Sequence, residues 1–167
     1  MNIAQRERIE QNRKMLSLKS MYFNRYLLVR YVTVFFFFVN MYWLISLFMS
    51  HSPLFFIPSL LIVVLLLSIA EQVKLYSNHT NNAKYTRYCF KILLYTNMVL
   101  LLLSFFSSAF IKLYPFLIDQ MGSKAFVVIM LTIGILLILS ILHRLSKISR
   151  NEDKHYERIK QYEEVIF

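Results

Sequence analysis

The chain is poor in the residues on which small enzymes and secreted domains depend. It has one cysteine, Cys89, in 167 residues. A single thiol forms no internal disulfide and excludes dithiol redox chemistry, which needs paired thiols. Cys89 therefore reads as an inert apolar filler. Glycine occurs twice, so a glycine-rich phosphate loop and a Gly-xxx-Gly helix dimer motif are both excluded. Acidic residues number 9 against 19 Lys and Arg, and Ser nucleophile elbows and HExxH are absent. Metal sites need clustered His, Cys or carboxylates. Here His51, His79, His143 and His155 are dispersed along the chain. No catalytic, cofactor-binding or metal-ligating residue is expected, and the chain is not read as an enzyme.

The most telling absence is charge. Tyr31 to Ala70, Ile92 to Ile111 and Ala125 to Leu142 contain no Asp, Glu, Lys or Arg, and Lys or Arg stands at or close to their ends. The composition is 57% hydrophobic with a mean hydropathy of +0.51. A bilayer core about 30 Å thick is crossed by roughly 20 apolar helical residues. The longest run is therefore two spans, broken at His51-Ser52-Pro53. The expected fold is all-α and polytopic, with four transmembrane helices at about 31–49, 54–70, 92–111 and 125–142, arranged as two hairpins. A basic N-terminal helix occupies 1–30 and an amphipathic tail 143–167. No cleavable signal peptide is evident, so the first span reads as a retained anchor.

Counting Lys and Arg at the span ends sets the orientation. Residues 1–30 carry seven, the loop 71–91 four and the tail six, whereas the other two connections carry none and two. Seventeen against two places both termini and the middle loop in the cytoplasm of a cell membrane. Abundant Phe, Ile, Asn, Lys and Tyr suggests an AT-rich, bacterial genome. The net charge of +10 then faces anionic lipid headgroups, and no nucleic-acid recognition motif is present. Asn78-His79-Thr80 is formally a glycosylation sequon, discounted by this topology. Asp119 is the one carboxylate expected outside, too few for paired-carboxylate chemistry.

Tyr22, Tyr26 and Tyr31 with Arg25 and Arg30 read as an interfacial belt, repeated by Tyr85, Arg87, Tyr88 and Lys91. At an offset of 62, Arg25-Tyr26 falls on Arg87-Tyr88, Phe48 on Phe110 and Pro53 on Pro115. That pattern fits either a duplicated hairpin or two unrelated hairpins with similar belts and turns. The span interiors hold no ionisable residue, which argues against an antiporter or multidrug pump built on a membrane carboxylate. Asn40 and Asn97 are the most polar side chains at depth and are the candidate interhelical polar contacts. Ser104 and Ser108 read as a small-residue packing face.

In the tail, Leu145, Ile148, Glu152, His155, Ile159, Tyr162 and Ile166 alternate in steps of 3 and 4. This heptad seam predicts a C-terminal helix continuing the fourth span. Its apolar face is the candidate partner seam. It would pack on the N-terminal helix of the same chain, on a second copy or another membrane protein, or remain an unpaired amphipathic tail.

The segment Phe23-Asn24-Arg25-Tyr26-Leu27-Leu28-Val29-Arg30-Tyr31, continuing to Asn40-Met41-Tyr42-Trp43-Leu44, resembles small four-pass membrane proteins of Gram-positive bacteria. Some of these are named as cellobiose-type sugar phosphotransferase subunits. That resemblance implies a soluble helical domain with a phosphoacceptor histidine. No histidine here lies in such a pattern, so no functional residue is carried over. The expected function is that of a non-enzymatic integral membrane accessory or interaction protein. The alternative is an oligomeric transporter or channel component for a neutral or cationic solute, acting through Asn40 and Asn97.

Overall fold

The computed structural model describes residues 3–77 and 82–166, and these residues are mostly helical, with short turns between the helices and no strand. The order is α1 (Ile3–Arg25), α2 (Leu27–Met49), a 3-10 turn (Pro53–Phe55), α3 (Phe56–Ser77), α4 (Lys84–Ser104), α5 (Ser107–Leu113), α6 (Met121–Ser149) and α7 (Lys154–Ile166). Four helices are long and apolar enough to cross a membrane: α2, the 3-10 turn running into α3, α4 and α6. The fold thus fits a multi-pass membrane protein. At about 1.5 Å per residue the 23 residues of α2 exceed the hydrocarbon thickness.

α4 packs most closely against α6 and α2 against α3; α3 also contacts α4, and α2 meets α6 more lightly. The core is apolar. Phe36 of α2 and Phe90 of α4 meet edge to face at 6.5 Å, beside the fully buried Leu65, Leu93 and Ile138. Gly134 of α6 faces this contact. A methyl group there would lie 3.5 Å from Asn97 Oδ1 and 3.7 Å from Phe36 Cε1, ordinary van der Waals distances, so close approach alone does not require glycine. The outward faces are equally apolar: Phe38, Tyr42, Leu60, Leu102 and Leu136 are all exposed. In water such a surface would aggregate; against lipid tails it costs nothing.

Two helix ends explain the segmentation. After α2, His51 adopts φ +50°, and the backbone N–H groups of His51 and Ser52 donate to Phe48 O and Leu47 O. After α6, Asn151 adopts φ +57°, and the N–H groups of Asn151 and Glu152 donate to Ile148 O and Lys147 O. Both are Schellman ends, in which a left-handed residue lets the chain satisfy the last free carbonyls. Asparagine tolerates that conformation well.

The sequence-based expectations need two corrections here. The fourth span runs on only to Ser149, and α7 is a separate helix after the Asn151 turn, so the tail does not continue it unbroken. The third long helix occupies Lys84–Ser104 rather than 92–111. It starts earlier because Glu71 accepts hydrogen bonds from the first free amides of α4. It stops earlier because Phe106 is extended and α5 turns aside to bury Phe110 and Leu113. Ser104, back-bonded to Leu100 O, and the exposed Ser108 therefore lie on different helices and form no common packing face.

Candidate interaction site at the helix joints

The strongest polar construction lies where the α1–α2 joint meets the α6–α7 joint. Arg25, the last residue of α1, is 1% exposed. Its Nε donates to Asp153 Oδ2 at 3.1 Å, and its Nη2 donates to Asp153 Oδ1, to Asn151 Oδ1 at 3.1 Å and to Ile148 O at 3.3 Å. The guanidinium also lies 5.0 Å from the Tyr156 ring centroid. A buried charge is tolerated only when paired and hydrogen-bonded on this scale. In return, Arg144 Nη2 of α6 donates to the Arg25 carbonyl at 3.4 Å. Arg87 Nη2 of α4 donates to Leu145 O at 3.2 Å.

This clasp sets α7 against α1. Leu18 and Ile159 are buried on the two helices, and Tyr22 Oη donates to Glu163 Oε1 at 3.1 Å. Burial and that carboxylate hold the Tyr22 hydroxyl above its ordinary range. Tyr26, in the joint itself, is pushed up to about 12, chiefly by burial. The outer side of α7 remains polar, with Glu157, Arg158, Gln161 and Glu164 exposed.

A second polar group ties three helices together at the same end of the bundle. Gln72 Nε2 of α3 donates to Thr33 Oγ1 of α2 at 3.0 Å and to Ser68 Oγ at 3.1 Å. Ser68 Oγ donates to Thr86 Oγ1 of α4 at 3.2 Å. Thr86 is held in turn by Glu71 Oε2, which accepts from both its N–H and its hydroxyl. Thr33, Ser68, Gln72 and Thr86 are all buried. Beside them opens a cleft of about 660 Å³ lined by Leu67, Glu71, Lys74, Asn82 and Tyr85, among others.

The opposite end is closed by α5. Trp43 Nε1 donates to Leu113 O at 3.1 Å, and its ring stacks on Tyr114 at 5.9 Å. Ser52 Oγ donates to Lys112 O at 3.2 Å. Asp119 pairs with Lys124 at 2.9 Å.

Of the residues singled out from sequence, Asn40 is buried and Asn97 half-buried. The amide Nδ2 groups of both donate to their own helices, to Phe36 O at 2.8 Å and Leu93 O at 2.7 Å. Thr33, Ser68, Gln72 and Thr86 make the side chain to side chain bonds that link α2, α3 and α4. In the seam, Leu145, Ile148 and Ile159 are buried, His155 and Tyr162 half-buried and Glu152 exposed; the side chain of Ile166 lies outside the described part. His79 and its sequon also fall outside the described residues. His51 and His143 are exposed, and Cys89 is 1% exposed. Among the described residues no three His, Cys, Asp or Glu side chains gather as a metal site.

Sequence reasoning assigned Arg25 to the interfacial belt and gave Asp153 and Gln72 no role. The signal available for Gln72 was its i,i+4 spacing from Ser68. For Arg25 and Asp153, which are 128 positions apart, there was no local signal. Comparison with known protein families, curated proteins and solved structures returns no match to this chain.

Proposed function

We propose that this chain is a non-enzymatic integral membrane protein of accessory or interaction type, with both ends on the cytoplasmic face. There α1 and α7 together offer a partner surface. One observation carries this reading. The second half of α1 and α7 are packed on each other and anchored to the bundle by a buried, multiply hydrogen-bonded arginine, while the outer side of α7 stays polar and exposed. Organising two distant termini into one unit costs a buried charge, which is retained most usefully where a defined surface is needed. The positive-inside count supports the orientation. A second copy of the chain or another membrane protein is the partner in view; nucleic acid is not, and no cofactor is invoked.

The test uses substitutions that leave the clasp intact. Glu157, Arg158, Gln161 and Glu164 are exposed, so E157A/R158A/Q161A/E164A should insert and fold normally. In-cell cross-linking followed by purification should capture a defined partner, or a homo-oligomer, with the parent chain and lose it with the variant. Unchanged capture would overturn the assignment of this face.

The transporter alternative draws on a different observation, the cleft beside Glu71 and the Gln72 group. It requires Glu71→Gln, in the cleft lining, to reduce solute flux strongly in reconstituted vesicles while the protein still inserts; unaffected flux would remove that route.

A further inference from the structure

Among the described residues, Arg87 and Arg144 at the clasped end of the bundle form no ion pair. Arg87 and Arg144 are both half-buried, and each makes one hydrogen bond to a main-chain carbonyl, of Leu145 and of Arg25 respectively. Two carboxylates at this end are already engaged, Asp153 by Arg25 and Glu71 by the first amides of α4 and the Thr86 hydroxyl. Arg144 Nε, like Arg30 Nε, is buried without a partner among the described residues.

We propose that Arg87 and Arg144 hold the phosphate of an anionic phospholipid headgroup at the junction of α4, α6 and the end of α1. This rests on the reading of that end as lying at a membrane surface. The guanidinium fork matches phosphate oxygens two at a time. The single carbonyl bond positions each group and leaves further N–H groups to donate. Free phosphate shares this chemistry, but the surroundings select a lipid. From Arg87 the exposed face of α4 continues through Tyr88 and Ile92, and from Arg144 that of α6 runs back through Leu139 and Leu136. Acyl chains would lie along these faces, which inorganic phosphate would not use.

The experiment is native mass spectrometry of the full chain in neutral detergent, titrated with phosphatidylglycerol or with phosphatidylcholine of the same acyl chains. The parent protein should retain phosphatidylglycerol preferentially. R87Q/R144Q should bind it roughly 30-fold more weakly, and K147Q/R150Q, which removes two exposed bases nearby, should stay within about twofold of the parent. Equal retention of the two lipids, or an equal loss in K147Q/R150Q, would overturn the site. Complete competition by millimolar inorganic phosphate would overturn the lipid assignment in favour of a free anion. Should R87Q/R144Q fail to fold, a photoreactive phosphatidylglycerol headgroup on the parent protein decides: label within 84–91 and 140–147 is expected, and label spread over α1 and α7 overturns the proposal. Because micelles have no inner or outer face, failure of the orientation reading would leave this result unaffected.

Discussion

Arg25 and Arg144 each donate a hydrogen bond into the other's helix. Arg25 Nη2 reaches the Ile148 carbonyl near the end of α6, and Arg144 Nη2 reaches the Arg25 carbonyl at the end of α1. Both carbonyls lie at helix ends, where lone pairs are open to partners outside the helix; Ile148 O accepts from Arg25 in addition to the Asn151 N–H. The exchange closes one joint with the other, and Asp153 supplies the countercharge.

Removing one partner of that ion pair should expose the other as an unpaired buried charge. Arg25→Met and Asp153→Leu are each expected to weaken α7 docking by about 3 kcal/mol. The double substitution should cost clearly less than the sum. Hydrogen exchange of the α7 amides in micelles, read as a double-mutant cycle, measures this; strict additivity would mean that the pair is not coupled.

The two left-handed residues should respond differently to glycine. His51 is exposed at φ +50°, so His51→Gly should relieve backbone strain and stabilise by about 1 kcal/mol. Asn151 at φ +57° also accepts a hydrogen bond from Arg25. Asn151→Gly therefore loses a charge-assisted bond of about 1.5 kcal/mol or more, which offsets the relief. Unfolding in mixed micelles should show the first variant stabilised and the second not; equal stabilisation of both would show that the Asn151 bond is energetically silent.

The buried polar group should outweigh the two asparagines. Gln72→Leu leaves Ser68 and Thr33 without their amide donor and should cost about 1 kcal/mol, within the range found for interhelical bonds in membranes. Asn40→Leu and Asn97→Leu remove bonds made within single helices and should each cost about half that or less. A larger loss in either asparagine variant would place the important contact on the amide oxygen instead.

Alkaline pH should unlatch the joint. Tyr26 is pushed up to about 12 by burial, and Tyr114 at the opposite end likewise. A phenol whose pKa is raised by folding contributes stability that is complete below its unfolded value of about 10, and loses it as pH rises towards the folded value. Stability should therefore fall between about pH 10 and 12. Y26F/Y114F should flatten that fall, as followed by circular dichroism; an unaltered slope would assign the alkaline transition to other groups.

Much of this architecture was legible because apolar runs without charge have one stable use. Their ends were less legible. Counting charges stops the second span at Ala70, yet α3 continues through Glu71 and Gln72, because Glu71 meets the free amides of α4 and Gln72 finds hydroxyl partners inside the bundle. The seam kept its phase although its helix broke: Leu145, Ile148 and Ile159 are buried on both sides of the Asn151 turn. Periodicity reports which face is covered and is blind to a short turn that preserves the phase. Arg25 beside Tyr26 has the local pattern of an interfacial anchor, and only tertiary structure brings in Asp153.

The central claim, that both chain ends form one unit on the cytoplasmic face, is tested most directly by thiol labelling of intact cells. Cys89 is buried, so in a Cys89→Ser background single cysteines replace exposed residues at five sites: E10C, N82C and K160C at the clasped end, and H51C and Q120C at the other. A membrane-impermeant maleimide should label H51C and Q120C in intact cells, and E10C, N82C and K160C only after permeabilisation. Labelling of E10C or K160C in intact cells, or a different result for those two positions, would contradict it.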